Sequence, residues 1–152
     1  MEARFIADPT LGRLAKWLRV MGFDTIYQSF YRKDDILKFV REGRILLSRQ
    51  QATVVTHYPS SLLIRSDHLE AQLHEMKDIG VITPDRSRWF TRCLICNMRL
   101  KMADTTVARQ NVPEHVIYQS PPVIRFCPSC SRHFWPGSHR ERMKRQLEEW
   151  GF

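Results

Sequence analysis

Four cysteines fall into two pairs, "CLIC" (Cys93, Cys96) and "CPSC" (Cys127, Cys130), separated by residues 97–126. Two thiolates three residues apart converge on one point, so each pair can grip one side of a tetrahedral zinc from a tight turn. A reducing compartment disfavours disulfides, which strengthens the metal reading over a covalent one. Four thiolates close the coordination sphere, so this zinc is expected to be structural rather than catalytic.

A second set of residues could do chemistry in the first half. Asp8 ends an apolar run, Asp34 and Asp35 open a helical pattern, and Asp67 follows another apolar run. Clustered carboxylates repel one another and recruit Mg²⁺ or Mn²⁺, ions that can activate water against a phosphodiester. Each aspartate also has a structural reading. Asp34 suits an N-cap as well as a ligand, and Asp67 can cap its own helix. Asp8, ahead of Pro9, has the least structural reason to be acidic.

The elements that must position these groups alternate in type. "RFIAD" (4–8) reads as a strand, and "TLGRLAKWLRVMG" (10–22) as a helix with Leu11, Leu14, Ala15, Leu18 and Met21 on one face. Arg13, Lys16 and Arg19 occupy its other face. "DTIYQ" (24–28) is a strand. "KDDILKFVREG" (33–43) is a helix burying Ile36, Leu37 and Val40. "RILLS" (44–48) and "LLIRSD" (62–67) are strands around a polar, ambiguous stretch at 50–60, and "DHLEAQLHEMKDIG" (67–80) is a helix with Leu69, Leu73 and Met76 inward. Gly22, Gly43 and Gly80 sit where helices should stop. This order predicts an α/β domain with a parallel sheet between helices, whose ligands bind at the carboxyl ends of the strands.

Near residue 88 the character changes, giving an expected domain at 1–88 and a cysteine module at 89–152. In the module a return strand is expected near "VIRF" (123–126), and helical patterning returns only at "SHRERMKRQLEEW" (138–150). The chain has 152 residues, 43% hydrophobic and 26% charged, enough for one sizeable core or a modest core with a small module. It has no apolar run long enough to span a membrane and no signal-peptide pattern at its start, so a cytoplasmic protein is expected.

The net charge is +8, unevenly spread: +3 over residues 1–88 and +5 over residues 89–152. Such a balance favours a polyanionic partner, nucleic acid before others, and makes a small-molecule ligand a poor expectation. In the module the candidate contacts are Arg92, Arg99, Lys101, Arg125, Arg132, His133, Trp135, His139 and Arg140, where cations mixed with aromatics suit phosphate contact and base stacking. Packing is the equal alternative for Trp135. His57, His68 and His74 read as surface or helix-face residues.

Three separated segments, "FIADPTLGRLAKWLRVMGFDT", "DDILKFVREGRILLSR" and "CPSCSRHFWPGSHRERM", resemble the Mut-seven C-terminal RNase family, in order and over nearly the whole chain. The resemblance implies a PIN-like α/β/α domain joined to a zinc ribbon, and metal-dependent cleavage of single-stranded RNA. By position, it implies an acidic site of Asp8, Asp35 with Asp34 beside it, and Asp67. It also implies an aspartate after the third strand, in a Thr-Arg-Asp run. This chain has Ser48-Arg49-Gln50 instead. Glutamine is neutral and one methylene longer, so the cluster loses a charge where charge retains the cation.

Two functions follow from this. One is an endoribonuclease whose Asp8, Asp35 and Asp67 hold Mg²⁺ or Mn²⁺ while the ribbon, with Arg13 and Arg49, guides RNA. The other is a weakened or inactive descendant that binds RNA, for instance ribosomal or transfer RNA.

Overall fold

A computed structural model describes residues 2–118 and 123–152, so residues 119–122 of the insert between the cysteine pairs lie outside it. The backbone separates into two compact units, Met1–Phe90 and Thr91–Phe152.

The first unit is a four-stranded sheet, every pairing parallel, flanked by helices. Its strands are β1 (Phe5–Ala7), β2 (Thr25–Tyr27), β3 (Ile45–Ser48) and β4 (Ser61–Leu63), in the order β2-β1-β3-β4. Its helices are α1 (Gly12–Val20), α2 (Lys33–Arg41), α3 (Gln51–His57) and α4 (Leu69–Asp78). β1 lies between two strands and its three residues are fully buried, as an apolar run in a doubly covered sheet must be. Ile6 and Leu46 form a cluster with Tyr31, and Ile36, Phe39 and Val40 of α2 pack against it. α1 and α4 pack on each other through faces that bury Leu14, Ala15 and Leu18, and Leu69, Leu73 and Met76.

Several boundaries differ from the sequence expectation. Arg19 is buried rather than on a solvated face, because its Nε donates to the Thr25 carbonyl at 2.9 Å and caps the neighbouring strand. Leu37 is 38% exposed, and Phe39 takes its place in the core. The ambiguous stretch at 50–60 contains α3, hidden in the sequence by its β-branched Thr53, Val54, Val55 and Thr56. β4 ends at Leu63, short of the expected 62–67. The Arg65 and Ser66 amides turn away from the sheet to donate to the Glu75 carboxylate. α4 therefore begins at Leu69 with His68 at its N-cap, and Asp67 caps nothing. In α2 the N-cap is Arg32, and Asp34 and Asp35 lie in the first turn.

The second unit holds a three-stranded antiparallel sheet of β5 (Lys101–Met102), β6 (Arg125–Phe126) and β7 (His133–Phe134). The insert is not bare: it forms α5 (Thr105–Asn111) and α6 (Glu114–Tyr118), and α7 (Ser138–Glu149) follows the sheet. Asp104 caps α5 by accepting from the Thr106 amide at 2.7 Å. Ala108, Val112 and Ile124 form a small buried cluster with Ala103, Val116, Ile117 and Trp135 against it. Among the described residues no helix is long and apolar enough to cross a membrane.

Candidate functional site

In the first unit the chain leaves β1 to form β2 on one side, then crosses back to form β3 on the other. The crevice between the carboxyl ends of β1 and β3 is thus the switch point of the sheet, where such folds bind ligands. Asp8 stands at its β1 side, and Ser48, Arg49 and Gln50 at its β3 side.

Asp8 is buried and held from both sides. Its Oδ1 accepts from the Thr10 amide at 2.7 Å and the Thr10 hydroxyl at 2.6 Å, closing the turn into α1. So Asp8 does have a structural reason to be acidic, contrary to the sequence expectation. Its other oxygen serves no turn: Oδ2 accepts from Ser48 Oγ at 2.9 Å, across the crevice. The same hydroxyl oxygen accepts from the Gln50 amide at 3.1 Å, so one serine fixes both banks. Two tyrosines brace the β1 end. Tyr31 donates to the Ala7 carbonyl at 2.7 Å, and Tyr27 to the Pro9 carbonyl at 3.0 Å. The Tyr27 ring passes over Gly12, where an added Cβ would lie 3.0 Å from it.

All partners of Asp8 among the described residues are neutral amides and hydroxyls, and none is a cation. A buried carboxylate without a cationic partner is costly, and a bound cation relieves that cost. The donor chemistry, hard carboxylate oxygen, suits Mg²⁺ or Mn²⁺.

The other expected acids lie in the segments that follow the neighbouring strands β2 and β4. Asp35 lies in the first turn of α2, after β2, and accepts from the Arg32 amide at 3.3 Å. Asp34 is exposed and lines a shallow surface cleft with Leu37, Lys38, Arg41 and Glu42. Asp67 follows β4, its side chain 68% exposed and 3.6 Å from His68. The carboxylates do not converge as closely as the thiols do: among the described residues, the cysteines are the set whose donor atoms all lie within 4.8 Å of one another. Strand order supplies the reason. Asp67 follows β4, which is two strands from β1 in a sheet whose strands are about 4.8 Å apart. Gln50 follows β3, the strand between β1 and β4. Its side chain accepts from Thr53 Oγ1 at 3.3 Å within α3.

The second unit gathers its cysteines. Cys93 and Cys130 Sγ are 3.8 Å apart, and a tetrahedron with bonds of about 2.3 Å has edges of about 3.8 Å. The two knuckles repeat one pattern. Cys93 and Cys127 amides donate to the Met98 and Arg132 carbonyls, and Asn97 and Ser131 amides donate back to the Cys93 and Cys127 carbonyls. Asn97 and Ser131 both take positive φ, 67° and 61°, to make that turn. Burial pushes the Cys93 thiol up to about 12. At Cys130 desolvation is outweighed by hydrogen bonds from the Arg132 backbone and guanidinium, which bring it down to about 6. Four clustered cysteines of this geometry could hold a zinc ion.

The expected basic contacts divide. Arg13, Arg49, Arg132 and His139 are exposed, and Arg140 is half-buried. Arg92 is buried and donates to the Asn97 carbonyl at 2.9 Å, so it holds the knuckle instead of facing solvent. Trp135 packs on the Ala108 cluster, the packing alternative. Register puts Met102, Arg125 and Phe134 side by side on one sheet face. Burial, then the charge of nearby Arg125, lowers the Arg140 pKa from its ordinary value, so two guanidiniums share one field.

The sequence model of the Mut7-C RNAse domain matches residues 3–147. The chain belongs to that family. None of the curated proteins matches it. Membership in the Mut7-C RNase family fits a nuclease-like domain with RNA as its substrate or partner. Ser48, Thr10, Tyr27 and Tyr31 are the residues of its crevice that the sequence reading passed over. "DPT" is a side-chain-capped turn signature that could have flagged Thr10. Nothing local marks Ser48, because its partner is 40 positions away.

Proposed function

We propose that this Mut7-C protein is a metal-dependent endoribonuclease whose reaction centre is the crevice between β1 and β3. The observation that carries the reading is the buried Asp8 carboxylate, oriented by Ser48 and Thr10 and lacking a cationic partner among the described residues. Asp8, with Asp35 and Asp67 from the flanking loops, would hold Mg²⁺ or Mn²⁺. When bound, the ion supplies Lewis-acid activation of water and stabilisation of the leaving oxygen.

The chain's own residues do the rest. Ser48 keeps Oδ2 of Asp8 facing the crevice, and Thr10 keeps the other oxygen in the turn. Arg13 and Arg49, exposed at the same sheet edge, draw RNA phosphates toward it. Zinc held by Cys93, Cys96, Cys127 and Cys130 keeps the second unit folded, and its Arg125, Arg132, His139 and Arg140 add phosphate contacts.

The test is incubation of the full chain with single-stranded and structured RNAs over a range of Mg²⁺ and Mn²⁺. Cleavage that Asp8→Asn abolishes supports the reading. Cleavage unchanged in Asp8→Asn overturns it. A second reading, an RNA-binding protein with little or no cleavage, is favoured by Gln50, which puts a neutral side chain after β3, the strand between β1 and β4. It predicts salt-sensitive RNA binding indifferent to Asp8→Asn and to divalent cations.

A further inference from the structure

The loop from β2 to α2 is tied to the reaction crevice by one phenol. The Gln28 amide donates to Tyr31 Oη at 2.8 Å, closing the turn 28–31 on itself, and Tyr31 Oη donates to the Ala7 carbonyl at 2.7 Å. Ala7 directly precedes Asp8. Tyr31 is locked into the core with Ile6 and Leu46. Phe30, next to it, goes the other way and is 74% exposed.

A single exposed aromatic is ordinary on a soluble surface. Phe30 differs in two respects. Its loop is closed by the Gln28 amide on the Tyr31 hydroxyl and tied by that hydroxyl to the carbonyl of the residue before Asp8, and it stands at the carboxyl edge of β2, the strand beside β1. Exposed Arg32 and Lys33 follow two and three residues on. An exposed ring on a tied loop, with cations two and three residues on, has the chemistry of a base-stacking platform: any unpaired base offers a π-face, and the neighbouring phosphate meets positive charge. Because the loop is already ordered, little conformational entropy is lost when a base settles on it.

We infer that Phe30 stacks an unpaired RNA base adjacent to the phosphodiester presented to Asp8, and so selects single strands over duplex. The inference rests on the nuclease reading of the crevice for where the scissile bond lies. A duplex keeps its bases in their own stack and cannot offer one to the ring.

The experiment uses the full chain, without added Mg²⁺ or Mn²⁺, and single-stranded RNAs carrying 2-aminopurine at successive positions. Wild-type protein should change the fluorescence strongly at one position. Phe30→Ala and Phe30→Leu should lose that change and weaken single-strand binding by about tenfold. Phe30→Trp should restore both, and binding of the matching duplex should be the same in all four proteins. Circular dichroism checks that each variant is folded. Equal binding and fluorescence in wild type and Phe30→Ala overturns the inference, and so does full binding by Phe30→Leu, which would make the ring a mere apolar contact. The two readings fail separately. Phe30-dependent stacking without cleavage in Mg²⁺ or Mn²⁺ sinks the nuclease and keeps the platform. Asp8-dependent cleavage by a Phe30→Ala protein with unaltered RNA binding does the reverse.

Discussion

Ser48 Oγ lies 2.9 Å from Asp8 Oδ2, joining the ends of two neighbouring strands whose residues are 40 positions apart. Ser48 is fully buried, so its hydroxyl has no water to compete for it. A hydrogen bond to a charged group is worth about 1.5–3 kcal/mol, and its loss here would also leave the Gln50 amide without its acceptor.

Ser48→Ala should therefore cost about 2 kcal/mol of stability and lower RNA cleavage by about tenfold or more, because Asp8 Oδ2 is no longer aimed. Urea unfolding and initial cleavage rates measure the two. A variant that loses the stability but keeps the full rate would make the serine purely architectural.

Gln50→Asp places a carboxylate after β3, the strand between β1 and β4. Gln50 is the N-cap of α3 but makes no capping hydrogen bond to the backbone. Aspartate is among the best N-caps, so the substitution should add about 1 kcal/mol whatever its catalytic effect. If the centre is only weakened, half-saturation by Mg²⁺ should fall and cleavage should rise. Added stability with no gain in metal affinity or cleavage would favour the binding role.

The sheet was largely legible in the sequence, because apolar runs such as "FIAD" and "RILLS" flanked by glycine-terminated helices leave few alternatives. The cysteine cluster was legible for the same reason, since Cys-x2-Cys is a local geometry. α3, α5 and α6 were not, because "QATVVTH" and "TTVARQN" mix β-branched residues into short helices that tertiary packing stabilises. Arg92 and Arg19 were misread because a buried guanidinium satisfied by a carbonyl looks, in sequence, like a solvated cation. The link from Ser48 to Asp8 depends on strand pairing, which no local pattern encodes.

Burial pushes the Tyr31 phenol up from the ordinary 10.0 to about 12, against the Gln28 amide, which pulls it down. Between those values the unfolded chain has lost this proton and the folded one keeps it. The tyrosine's contribution is thus complete below about pH 10 and is lost as the pH rises through 12. Tyr31→Phe should be less stable than wild type at pH 9, with the gap closing toward pH 11. Urea midpoints for both proteins across that range test it, and a constant gap would count against it.

Gly22 and Gly80 both end helices at positive φ, 92° and 77°, but their surroundings differ. A Cβ on Gly22 would meet the Arg88 carbonyl oxygen at 2.5 Å, whereas one on Gly80 meets nothing within 4 Å. Gly80→Ala should cost only the backbone strain, about 1–2 kcal/mol. Gly22→Ala adds a clash with backbone and should cost about 3 kcal/mol or more. Thermal melts of the two variants should therefore separate clearly, and equal losses would contradict the packing at Gly22.

Zinc should hold the two cysteine knuckles and the small sheet of the second unit together. Its strands have two residues each, and its buried cluster centres on Ala108, Val112 and Ile124. A sheet that small is not stable alone, so the metal-binding free energy becomes folding free energy. The purified chain should carry one zinc by elemental analysis. Chelation should release it, expose four thiols to a thiol reagent, and open residues 91–152 to limited proteolysis. The first unit has its own core under the parallel sheet, so a resistant fragment near residues 1–90 should survive. Cys96→Ser should mimic the chelated state. A chelated chain whose cysteines stay unreactive and whose second unit stays resistant would show that packing, not zinc, holds the knuckles in place.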